Sequence, residues 1–211
     1  MQLQSSPYSI VPVAYYERYK RNIETHNATQ DKSYLFYASL ELRYTIESVF
    51  FCYLWILSDC KLSEKQKKIW RAKDLKKEIL EIDPHFPFRL DFIPLVSYMS
   101  NEFAQTAKPD FELLTDSWSH LGYYLHARKV VVTHNLPEEY WIEFKKVLAG
   151  PAHNLSLVLS HPFVNLQFTT EGDTVIERYA SGQITSEQVV NEFQPRWGRI
   201  FESVTEYIHE V

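Results

Sequence analysis

The chain is poor in the residues from which most catalytic and cofactor loops are built. It has five glycines among 211 residues, and a loop that cradles phosphates through its backbone needs several close together. The metalloprotease helix pattern, the dinucleotide fingerprint and the serine-nucleophile elbow are all missing. The two cysteines, Cys52 and Cys60, have no metal-ligand spacing. With no signal peptide ahead of them they point to a reduced, intracellular, cytoplasmic setting. No metal or cofactor is expected. The longest uncharged apolar run, Val49 to Leu57, is nine residues, far short of the roughly 20 that cross a bilayer, so no membrane partner is expected either.

Excess positive charge is also missing, except in one place. Net charge is −5, yet residues 61–77 carry eight basic side chains against Glu64 and Asp74, a local +6 that leaves the remainder near −11. An acidic body opposes non-specific binding to nucleic acid, whose affinity comes largely from neutralised phosphates. The basic stretch reads first as the solvated face of an amphipathic helix. As an alternative, Lys67, Lys68 and Arg71 form a surface that steers RNA or an acidic protein.

What the chain has in quantity is hydrophobic and aromatic side chains, 45% and 15% of residues, enough for one substantial core. The spacing predicts a mainly α-helical bundle forming a single domain over residues 1–211, with an irregular arm at 1–12. Helices are predicted over 13–26, over Ser33–Leu57 with Thr29 or Asp31 as cap, and over 63–82. In the last of these Ser63 and Gln66 make a capping box, and Ile69, Trp70, Ala72, Leu75, Ile79 and Ile82 make the buried stripe. Further helices are expected over 89–105, 111–127 and 137–149, the last ended by Gly150 and Pro151. The alternation of Val164, Leu166 and Phe168, followed by Glu171-Gly172-Asp173, predicts a small β-hairpin near residues 163–178. A final helix should start at Thr185 with Gln188 three residues on and run to Ile208, kinked or divided at Pro195.

The sharpest chemical signal lies inside Ser33–Leu57. A helix apolar on nearly every side is built to be buried, yet this one contains Glu41, Arg43 and Glu47. Arg43 and Glu47 stand four apart, on one face. They are either a structural ion pair between packed helices or the wall of a polar cavity where Arg43 binds an anionic group and Glu47 accepts a proton or hydrogen bond. Gly122, costly inside a helix unless something packs close, could bring His126, four residues on, near that pair. The alternative for His126 is a hydrogen-bonded, half-buried histidine. His120 and His126, six apart, do not share a helical face, which argues against a common metal.

Leu40-Glu41-Leu42-Arg43-Tyr44-Thr45-Ile46-Glu47 together with Leu121-Gly122-Tyr123-Tyr124-Leu125-His126 resembles HEPN-type helical domains over about residues 30–150. The resemblance implies an Arg-x-x-x-Glu on an early core helix, matched by Arg43 and Glu47, and a histidine on a later helix packed near it, matched by His126. It implies a module, a homodimer in many members, that binds a ligand or RNA in a defence or stress setting. Nuclease members carry an arginine, four to six intervening residues and then a histidine, which Arg128 and His134 match, with histidine as acid or base and arginine stabilising the charged phosphorane. Metal-independent RNA cleavage is therefore the alternative function, and a purely structural helical protein is a third.

Overall fold

The computed structural model describes residues 12–100, 107–126, 136–161, 163–196, 199 and 201–207. The chain is mainly helical, as the spacing predicts. Helix α1 (Pro12–Thr29) opens on Pro12, whose fixed φ suits a first helical position. After a turn in which Gln30 takes φ 57°, Asp31 accepts the Ser33 N–H at 2.8 Å and α2 (Ser33–Leu57) begins. The span matches the expectation, although only Ser48–Ile56 is buried on every side and Tyr37, Leu40 and Tyr44 form an exposed stripe on the first half. Leu35, Leu42, Ile46, Val49, Phe50 and Leu54 are wholly buried, and α2 packs against α1 and against residues Ala72–Ile82, Phe111–Tyr124, Glu138–Leu159 and Phe163–Phe168.

The basic stretch is not one helix. Ser63 and Gln66 do bond reciprocally, but they initiate only a 3₁₀ turn, Gln66–Lys68. Ile69 and Arg71 are then extended, and α3 (Ala72–Ile82) starts afresh. Adjacent side chains in extended chain point opposite ways, so Ile69 packs on the core while Trp70 is 61% exposed. Trp70 and Ile82 thus leave the predicted buried stripe; Ala72, Leu75 and Ile79 stay in it.

Helix α4 (Phe86–Ser100) starts three residues earlier than expected, with Pro87 in its first turn and Pro94 within it. Helix α5 (Phe111–Tyr124) is capped by Asp110, which accepts the Leu113 N–H at 2.9 Å. The valine run 130–132 lies outside the described residues. Helix α6 (Glu138–Leu159) continues through Gly150 and Pro151, where the sequence predicts a stop. Proline removes one backbone hydrogen bond, but Trp141, Phe144, Leu148, Pro151, Ala152, Leu155 and Val158 bury one continuous stripe that outweighs it. Tyr124 of α5 stacks on Phe144 with centroids 4.2 Å apart.

The C-terminal expectations need the largest correction. Strand β1 (Phe163–Phe168) forms, but its partner is not residues 175–176. It pairs antiparallel with β2 (Phe201–Tyr207), with an extra residue on β2 opposite the step from Gln167 to Phe168. Residues Thr170–Ala180 are helix α7, because Thr169 accepts the Gly172 N–H and Glu171 and Asp173 sit favourably in the first turn. Thr185, the expected start, and Gln188 form a capping box at the head of α8 (Ser186–Phe193). That helix ends in a 3₁₀ turn at Gln194–Arg196, and residues Phe201–Tyr207, expected as helix, form β2. Among the described residues no helix is long and apolar enough to cross a membrane.

Candidate functional site

Helices α2 and α5 run antiparallel at the predicted charge pair, with Glu47 facing Trp118 and Arg43 facing Gly122. The Trp118 indole N–H donates to Glu47 Oε1 at 2.6 Å. Arg43 Nη2 lies 4.0 Å from the same oxygen, and the guanidinium carbon sits 4.3 Å above the Trp118 ring. A Cβ on Gly122 would come within 3.3 Å of Arg43 Nη1. The helical glycine is therefore explained by close approach, and the approaching group is Arg43.

The pair is half-satisfied. Among the described residues the Arg43 guanidinium donates no hydrogen bond, and its Nε is buried without a partner. Burial lowers the Arg43 pKa against the pull of Glu47 and Tyr44, though guanidinium remains ionised at any ordinary pH. Burial raises the Glu47 pKa, against the Trp118 hydrogen bond and the Arg43 charge that lower it. Desolvation wins on both partners, as expected where the charges stand 4.0 Å apart instead of in contact.

Glu47 also lines a cavity of about 380 Å³. Tyr15 comes from α1, Tyr44, Ser48 and Phe51 from α2, Lys67, Ile69 and Trp70 from the basic segment, and Leu75 from α3. Tyr15 and Tyr44 pack with centroids 5.4 Å apart, and Trp70 lies 6.4 Å from Trp118. Aromatic walls around one half-buried carboxylate suit a flat ligand that carries hydrogen-bond donors.

The other expected site residues are placed as follows. His126 is exposed, two residues past the end of α5, and no contact joins it to Arg43 or Glu47. Arg128 and His134 lie outside the described residues. Lys67 reaches the cavity rim and pairs with Glu64 at 2.6 Å; Arg71 pairs with Asp74 at 2.6 Å; Lys68 is exposed. Lys65, Lys76 and Lys77 also face acidic partners, so much of the local +6 is neutralised in place. No group of three or more His, Cys, Asp and Glu that could hold a metal occurs among the described residues. Cys52 is buried, its thiol pushed up to about 12 by desolvation, and so is not a nucleophile at neutral pH.

Sequence reasoning missed Tyr15, Tyr44, Trp70 and Trp118 as site residues. No local signal separates Trp70 from Ile69, because adjacent residues of an amphipathic helix can share an apolar stripe about 100° wide. Comparison with family models, curated proteins and solved structures returns no match.

Proposed function

We propose that the protein is a HEPN-like binding module that takes a flat, hydrogen-bond-donating ligand in the cavity over Glu47. The observation that carries this reading is the Glu47 carboxylate, held by Trp118 and poorly paired with Arg43, opening onto an aromatic-walled space. Its volume falls within the roughly 300–1,000 Å³ common for ligand pockets. Binding is favoured over catalysis because no histidine or cysteine lines the cavity among the described residues. A carboxylate whose oxygen is committed to an indole N–H is a better anchor than a base.

The test is a library of planar heterocycles, followed by thermal shift and tryptophan fluorescence, with mixed RNA incubated in EDTA alongside. Compounds should bind the wild type and be lost in Glu47→Ala and Trp70→Ala, and the RNA should remain intact. Chelator-resistant cleavage that disappears in His134→Ala or Arg128→Ala would replace the binding module with the nuclease.

A further inference from the structure

The same cavity carries enough chemistry to name the ligand class, an inference that rests on the binding reading above. Glu47 Oε1 has one lone pair occupied by Trp118, and Oε2 accepts no hydrogen bond among the described residues. An ionised carboxylate is an acceptor only, with about four lone-pair sites. The ligand edge that meets it must therefore present donors. Arg43 already offsets the Glu47 charge at 4.0 Å, so a cationic ligand would leave the floor with surplus positive charge, whereas a neutral donor edge leaves it balanced.

Above this floor stand π-faces. Trp70, 61% exposed, and Tyr44, 41% exposed, offer ring surface that the protein's own packing does not use, and heterocyclic bases stack on such side chains. Lys67 at the rim pairs with Glu64, itself 81% exposed, and such surface pairs exchange partners at little cost.

We propose that the cavity binds a guanine base, with Glu47 accepting from its ring N1–H and exocyclic amino group, Trp70 stacking on its face, and Lys67 meeting the 5′-phosphate. Among the four common bases guanine alone presents two adjacent donors on its pairing edge. Adenine and cytosine set a ring acceptor beside the amino group, and uracil flanks its single N–H with carbonyls; each would turn a lone pair toward the carboxylate. The cavity exceeds the size of a base, which leaves room for a ribose.

The experiment titrates the full-length protein, in EDTA, with GMP, AMP, CMP, UMP and guanosine, reading tryptophan fluorescence and confirming by calorimetry. GMP should bind at least about tenfold more tightly than the other three nucleotides, the discrimination expected when hydrogen bonds to a charged group are lost. Glu47→Gln, which turns a donor toward the base, should erase that preference. Trp70→Ala, a change at an exposed side chain that leaves circular dichroism unaltered, should weaken all nucleotides together. Equal affinity for the four nucleotides, or a preference that survives Glu47→Gln, would overturn guanine recognition. If library heterocycles bind through Glu47 and Trp70 but GMP does not, the guanine assignment fails while the binding module stands. If neither binds, both fail. Once guanine preference is seen, a short RNA with one central G among adenines separates the two sources: tighter binding than GMP marks the base within RNA, weaker binding the free nucleotide.

Discussion

Two arginines of nearly equal burial sit in opposite circumstances. The Arg43 side chain is 18% exposed and Arg89 is 21% exposed. Arg89 on α4 donates from Nε to Asp83, just past the end of α3, and from Nη1 to Asp173 in the first turn of α7, both at 2.6 Å. Burial lowers its pKa, but the two carboxylates outweigh burial and the net shift is upward. For Arg43 the balance goes the other way, with one carboxylate at 4.0 Å and an indole face for company. Exposure alone would rank the two alike. Satisfied donors mark Arg89 as a lock joining three helices, whereas the Arg43 guanidinium donates no hydrogen bond among the described residues.

The contrast can be broken most strongly at Arg89. Arg89→Met should cost about 2–3 kcal/mol in urea unfolding, because it strands Asp83, a half-buried carboxylate, without its cation. Arg43→Met should cost clearly less, since it removes no direct hydrogen bond; a loss equal to that of Arg89→Met would abolish the distinction.

The second prediction uses the raised Glu47 pKa. With the folded pKa above the unfolded value of 4.5, the folded state binds the proton more readily. Stability from this group is full below that unfolded value and is lost as pH rises through the folded pKa. Glu47→Gln removes this trend, so the stability difference between wild type and variant should turn against the wild type as pH climbs from the unfolded value. A constant difference across that window would mean that Glu47 is solvated in the folded protein.

The smallest effect is expected at Gly122. Gly122→Ala should raise stability by about 0.5 kcal/mol, a helix-propensity gain of about 1 kcal/mol offset in part by the shift of the Arg43 guanidinium end that the new Cβ meets at 3.3 Å. Ligand affinity should fall, since moving Arg43 disturbs the floor under Glu47. Unchanged affinity would detach Arg43 from the site.

Legibility followed the range of the determining contacts. Helix α2 was readable from its composition, and the helix starts near Asp31 and Thr185 from single side chains. Strand β1 was readable from alternation, but its partner β2 lies far along the chain, and no local pattern in 201–207 competes with an apparent helical stripe. The Arg43–Glu47 pair was visible as a spacing, and Gly122 as an anomaly. The cavity was not, because α1, α2, the extended 69–71 segment and α3 each supply part of it. His126 was expected beside the pair, but α5 ends before it.

The β1–β2 ladder has a kinetic consequence. Its register pairs Phe168 with Phe201, so forming it closes a loop containing α7 and α8, whereas α1 and α2 meet across a turn of a few residues. Closing the longer loop carries the greater entropy cost, which makes the α1–α2 hairpin the natural early contact and the ladder a late one. In reverse, unzipping of β2 would free the C-terminal segment as a unit while Tyr15, Tyr44 and Glu47 keep their places, so a chain that has begun to unravel from its far end would still hold part of its pocket.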